Sequence, residues 1–182
     1  PVDPDFTATQ ALTQREALRL LDAATEHSLR TQTLVDLLLS TGLRISEALN
    51  IKESDISEGR LLITRKSGKK SAVYLPEHTL RNLRELTRTT GAEVEHLENN
   101  RASALVFVTR TGRPWQRTNV DALIRKLALT ASIRKTVSAH VLRHTHATLE
   151  CTPWQSYDGG DHVLYLGRVE DIAIRENEPL LF

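Results

Sequence analysis

The sequence predicts a mixed α/β fold, mainly helical, with a small antiparallel β-hairpin. Apolar residues recur at three- and four-residue spacing in several separate stretches, the period of helices that bury one face. Two short strand-like runs, Leu61–Thr64 and Ser71–Leu75, flank a turn rich in lysine and glycine, the pattern of a hairpin. A chain of 182 residues with 40% hydrophobic content can bury the core of one ordinary domain and carry an appendage.

The elements follow in order. Pro1 to Ala11 reads as an extended lead-in. Thr13 and Glu16 form a capping box that opens a helix to about His27, with Ala17, Leu18, Leu21 and Ala24 expected inward. A second helix starts near Thr31, and Leu34, Val35, Leu37, Leu38 and Leu39 make it apolar on most sides, so it should be central and buried. Gly42 ends it, and Leu43 to Leu49 begins another helix with Arg44 in its first turn. A cation there opposes the positive end of the helix dipole, so helix stability does not explain Arg44. The plain alternative is an ion pair with Glu47 one turn on, worth about 0.3 kcal/mol when exposed.

After the hairpin, Glu77 to Thr90 reads as a helix with Leu80, Leu83 and Leu86 inward, ended by Gly91. Residues 92–102 are polar and read as a surface loop. Ala104 to Val108 is expected to be a short buried strand, and Thr111 to Pro114 turns the chain. Thr118 with Asp121 should cap a helix reaching about Thr130, with Val120, Leu123, Ile124, Leu127 and Ala128 in its core stripe. Ser138 can cap a last helix on which His140, Arg143 and His144 share a face while Val141, Leu142 and Leu149 seat it. An always-charged planar guanidinium beside an imidazole that titrates near neutrality suits a phosphate whose charge is held while a proton moves. The plain alternative is a solvated His/Arg face.

The net charge of +1 hides a division near Cys151. Residues 151–182 carry six acids against Arg168 and Arg175, a net of −4, while the first 150 hold 22 basic against 17 acidic residues, +5. That basic part fits either an ordinary surface or a nucleic-acid binder. The lone Cys151 excludes an internal disulfide and a cysteine-based metal site. No apolar run reaches membrane-spanning length and no signal-peptide pattern opens the chain, so a cytoplasmic protein without a membrane partner is expected. The chain starts at Pro1 and contains no methionine, which points to a processed chain or a fragment.

Two stretches carry a resemblance. Ser40 to Leu49 (STGLRISEAL) and, about a hundred residues later, His140 to Thr148 (HVLRHTHAT) closely resemble the two arginine boxes of the tyrosine recombinases, the phage-integrase-type site-specific DNA recombinases. The resemblance implies a recombinase-type catalytic domain over residues 1–150. It also implies strand transfer on double-stranded DNA, without metal or cofactor, through a 3′-phosphotyrosine, by proteins that self-associate on DNA. It assigns Arg44 and Arg143 to the phosphate, His140 to proton transfer, Glu47 and His144 to supporting positions, and the hairpin lysine that protonates the departing 5′-oxygen to Lys66, with Lys69 as competitor.

The match ends after Thr148. By the family's spacing the further His or Trp and the tyrosine nucleophile would fall near Leu166 and Arg175, which cannot do that work, so the nucleophile is unassigned. Tyr157, in a turn-like stretch, and Tyr165, in an alternating strand, are the only tyrosines beyond the second box. Residues 151–182 instead resemble the late part of the flavin reductase split-barrel family, with His162 in its Gly-Asp-His turn. So short a piece holds no complete flavin site, and a foreign tail joined by gene fusion is the expected origin. The chain also begins close to where the catalytic domain would, without the family's DNA-clamping domain, so its DNA affinity is expected to be weak and strongly salt-dependent. The domain is therefore expected to be incomplete and inactive as the chain stands; the alternatives to strand transfer are a non-catalytic DNA-binding remnant or gene-fusion product and a flavin- or NAD(P)H-binding fragment.

Overall fold

The computed structural model describes residues 11–57, 59–65, 68–94, 105–150, 152–158 and 163–168. Six helices and two small sheets are described: α1 (Gln14–His27), α2 (Leu29–Thr41), α3 (Ile45–Leu49), β1 (Ile56–Ser57), β2 (Arg60–Thr64), β3 (Lys70–Tyr74), α4 (Glu77–Val94), α5 (Arg117–Thr130), α6 (Ala139–Glu150), β4 (Thr152–Asp158) and β5 (Val163–Arg168). A single 3-10 turn, Glu53–Asp55, precedes β1. The mainly helical α/β class is the observed one.

Helix α2 is the hub. Thr31, Thr33, Leu34, Val35, Asp36, Leu37 and Leu38 are all buried, and α1, α4 and α6 pack around it. Each leucine taken fully out of water contributes about 1.5–3 kcal/mol, so this one helix anchors much of the core. The helix also buries a carboxylate. Asp36 accepts hydrogen bonds from Thr79 Oγ1 at 2.8 Å and lies 3.2 Å from His78 Nε2, which ties α2 to α4 through a satisfied polar contact.

The Thr13–Glu16 capping box opens α1 as expected: the Glu16 carboxylate accepts the Thr13 N–H at 2.8 Å, and Thr13 Oγ1 accepts the Glu16 N–H. The buried face is Ala17, Leu20, Ala23 and Ala24, whereas Leu18 is 56% exposed and Leu21 only partly covered. Ala17 and Ala24 are buried as expected, but Leu20 and Ala23 take the core positions expected of Leu18 and Leu21, so the stripe is rotated. The hairpin forms in antiparallel register with Leu61 opposite Val73 and Ile63 opposite Ser71, and β1 adds a third strand on the outer side of β2. Leu61 and Ile63 face the core while Leu62 faces out, the alternation of a half-buried strand.

Several expectations are corrected. Helix α4 runs through Gly91 to Val94, because glycine in a helix costs only about 1 kcal/mol and the following Ala-Glu favour helix. Ala104 is outside the described residues, and Leu105 to Val108 forms no continuous strand; Leu105 bridges Lys52 and Val108 bridges Pro114, with Phe107 fully buried between them against Trp115. Thr118 and Asp121 do not cap α5, which begins two residues earlier, at Arg117, on a Gln116 N-cap that makes no side-chain cap bond. Asp121 instead accepts the N–H of Ala139 at 3.1 Å and so joins the start of α6 to α5. Tyr157 lies within β4, opposite Leu164, rather than in a turn.

No helix among the described residues is long and apolar enough to cross a membrane.

Candidate functional site

Two helix ends build the site. Helix α2 stops at Gly42, whose left-handed φ of 59° redirects the chain and whose N–H closes on the Leu38 carbonyl at 3.1 Å. Two residues on, Arg44 is the N-cap of α3 rather than part of its first turn, held extended at φ −67° and ψ 144°. Its backbone N–H donates to Glu47 Oε2 at 2.9 Å and its Nη1 to Glu47 Oε1 at 3.3 Å. The Glu47 side chain is 4% exposed and that of Arg44 is 52%, so the carboxylate is buried beneath a guanidinium that faces outward.

Helix α6 supplies the other wall. The Ser138 hydroxyl accepts the Val141 N–H at 3.4 Å, and buried Ala139, Val141, Leu142 and Thr145 seat the helix on the core. Thr145 Oγ1 donates to the Val141 carbonyl at 2.8 Å and accepts the Leu12 N–H at 2.9 Å, which fixes the chain leading into α1 against α6. On the opposite face, Arg143 Nη1 donates to the Gly42 carbonyl. One turn further, His146 Nδ1 lies 2.9 Å from the Leu39 carbonyl; a carbonyl only accepts, so this nitrogen carries the hydrogen. Two boxes a hundred residues apart are therefore joined at the C-terminal end of α2.

His140 and His144 stand one turn apart on α6 with their Nε2 atoms 2.8 Å apart and their rings edge to face. One Nε2 must donate and the other accept, so the contact requires a lone pair on one of the two rings. His144 is held below the ordinary imidazole value of 6.5, first by burial and then by the positive charges of His140 and Arg143.

The sequence-assigned residues Arg44, Glu47, His140, Arg143 and His144 thus belong to one constellation around the end of α2. Lys66 lies outside the described residues, and so does His162. Lys69 is exposed in the hairpin turn, where its carbonyl accepts the Arg65 N–H at 2.8 Å. Tyr157 and Tyr165 occupy neighbouring strands β4 and β5. Two contributors were not foreseen. Arg65 reaches from the end of β2 to Glu47, its Nη1 3.4 Å from Oε2, and His146 clasps the α2 end; neither is visible in a sequence because both contacts span distant segments.

The chain has known relatives. The model of the phage integrase family matches residues 10–149. The tyrosine recombinase XerC of Xanthomonas axonopodis pv. citri is 32% identical over 143 residues, covering 76% of this chain and 44% of the relative. The tyrosine recombinase XerD of Corynebacterium glutamicum is 36% identical over 136 residues, covering 73% of this chain and 43% of that protein. This chain therefore spans less than half the length of these curated relatives. Among solved structures, the XerA recombinase superposes with a TM-score of 0.67 at 29% identity over 76% of this chain and 49% of the other. The lambda integrase catalytic core shares the fold, with a TM-score of 0.60 at 19% identity over 76% of this chain and 81% of that one. With both arginine boxes gathered at one helix end and the family model covering all the elements that gather them, this chain belongs to the phage integrase family.

Proposed function

We propose that residues 1–150 are the phosphate-handling part of a site-specific DNA recombinase. The observation that carries this reading is the bond from Arg143 to the Gly42 carbonyl, which brings His140, Arg143 and His144 of α6 to the end of α2, two residues from Arg44. Arg44 and Arg143 hold the non-bridging oxygens of a phosphodiester and offset the charge that grows in a pentacoordinate transition state. Arg143 spends one of its five N–H donors on Gly42, which leaves a fixed, partly solvated fork for the phosphate.

His140 moves the proton of the attacking hydroxyl, and its 2.8 Å contact with His144 holds the imidazole in place. Glu47 orients Arg44 from below. Lys66, or Lys69 from the same turn, protonates the departing 5′-oxygen. Double-stranded DNA is the partner, copies of the protein assemble on it, the cytoplasm is the compartment, and neither metal nor organic cofactor takes part. Residues 151–182 are a tail of separate origin, beyond the stretch that the family model matches. The nucleophile is a tyrosine other than Tyr157 and Tyr165, which lie in paired strands without the helical setting the chemistry needs.

The test is incubation with duplex DNA followed by denaturing electrophoresis and mass spectrometry of any covalent protein–DNA adduct. Any cleavage the chain supports is expected to be lost in both Arg44→Ala and Arg143→Ala, with the fold intact. Cleavage retained in both variants contradicts the reading. Binding that falls steeply with salt and never yields an adduct makes the chain a DNA-binding remnant instead.

A further inference from the structure

The turn between β2 and β3 fixes Arg65 through its backbone: its carbonyl accepts the Gly68 N–H at 2.8 Å and its N–H donates to the Lys69 carbonyl at 2.8 Å. From that anchored position its side chain points back to the protein. Nε donates to Ser71 Oγ at 3.0 Å, across the base of the hairpin, and Nη1 donates to Glu47 Oε2 at 3.4 Å. One buried carboxylate therefore serves two arginines from different elements, Arg44 on the α3 N-cap and Arg65 on the hairpin.

That arrangement has two physical consequences. A carboxylate paired with Arg44 alone would cancel its charge, whereas two guanidiniums around one carboxylate leave the group net cationic and still favourable to an anion. The second arginine also holds Oε2, which already accepts the Arg44 N–H, so Oε1 is left to the Arg44 fork. Arg65 commits Nε to Ser71 and Nη1 to Glu47, so one edge of its guanidinium is engaged with the protein although the side chain is 37% exposed.

We propose that Arg65 is a positioning residue, which sets the aim and net charge of Arg44 through Glu47 and ties the base of the β2–β3 hairpin to the phosphate site. The proposal rests on the reading of Arg44 as a phosphate ligand.

The experiment measures binding of a short duplex DNA by fluorescence anisotropy at several salt concentrations for the full chain and for Arg65→Gln, Arg65→Lys, Arg44→Ala and Arg44→Ala/Arg65→Gln. Circular dichroism checks the fold of each. Arg65→Gln is expected to weaken binding by about three- to tenfold. Arg65→Lys recovers part of the loss, since an ammonium keeps the charge but cannot hold Ser71 and Glu47 with one rigid fork. In the Arg44→Ala background the same change has less than about a twofold effect, and the salt slope is the same as for Arg44→Ala alone. An equal loss in both backgrounds, with the slope reduced by about one phosphate contact, makes Arg65 a direct DNA ligand and overturns the proposal. No effect of Arg65→Gln on the full chain overturns it too. If Arg44→Ala binds as well as the full chain, the phosphate reading itself falls and takes this proposal with it. Should Arg65→Gln not fold, Arg65→Lys decides: binding equal to the full chain is against positioning, and weaker binding that depends on Arg44 is for it.

Discussion

A Cβ added at Gly42 would lie 2.5 Å from His146 Cδ2, so the imidazole of α6 closes on the end of α2 where only glycine fits. The same backbone carries a φ of 59°, a conformation that L side chains rarely adopt. Both restrictions fall on the residue whose carbonyl receives Arg143. The joint between the two arginine boxes is thus sterically restricted to glycine.

Gly42→Ala is expected to destabilise the fold by about 2–4 kcal/mol, combining a left-handed backbone penalty of about 1–2 kcal/mol with overpacking against His146. In a His146→Ala background only the backbone part remains. Urea unfolding of the four proteins of this cycle checks it, and additive losses would contradict the contact.

Thr145 is fully buried and bonded both to the Leu12 N–H and to the Val141 carbonyl. Thr145→Val keeps the shape but strands the Leu12 N–H, so a loss of about 1–3 kcal/mol is expected, whereas Thr145→Ser loses less. Hydrogen exchange at Leu12 reads the effect directly: its amide should exchange faster in the valine variant and stay protected in the serine one.

His144 binds its proton less readily in the folded chain than an ordinary imidazole does, because burial and the neighbouring His140 and Arg143 disfavour the cation. The unfolded chain therefore holds more protons through this window, and folded stability rises with pH. The contribution is complete above the unfolded value of 6.5 and is lost as the pH falls through the lower folded value. His144→Asn should flatten the stability profile below pH 6.5; an unchanged profile in thermal scans from pH 8 to about 5 would contradict the assignment.

Phe107, with its ring centroid 6.2 Å from that of Trp115, is the largest fully buried side chain among the described residues. Phe107→Ala should cost about 3–5 kcal/mol, while Leu129→Ser, on a side chain 76% exposed, should change stability by less than about 0.5 kcal/mol. Denaturant midpoints with unchanged slopes would verify both.

Local signals were legible in the sequence. The Thr13–Glu16 box, the Gly42 stop, the hairpin and the Ser138 start all rest on residues a few positions apart, and each forms where expected. The Arg44–Glu47 pair and the shared face of His140, Arg143 and His144 were legible for the same reason. What escaped depends on distant partners. Asp121 looked like a cap for its own helix but bonds Ala139, because α6 brings an unsatisfied N–H to it. Arg65 borders the lysine-rich turn and carries no local signal of its own, and only the fold brings it to buried Glu47. Leu18 looked like core until the alanine face of α1 was chosen by its fit to α2.

The claim that the two boxes make one phosphate site is tested most directly by duplex DNA binding across a salt series, comparing the full chain with Arg44→Ala, Arg143→Ala and the double variant. One shared site predicts that each single change weakens binding, that the double change costs clearly less than the sum, and that the salt slope falls. Two single variants that bind as tightly as the full chain, with an unchanged slope, would contradict it.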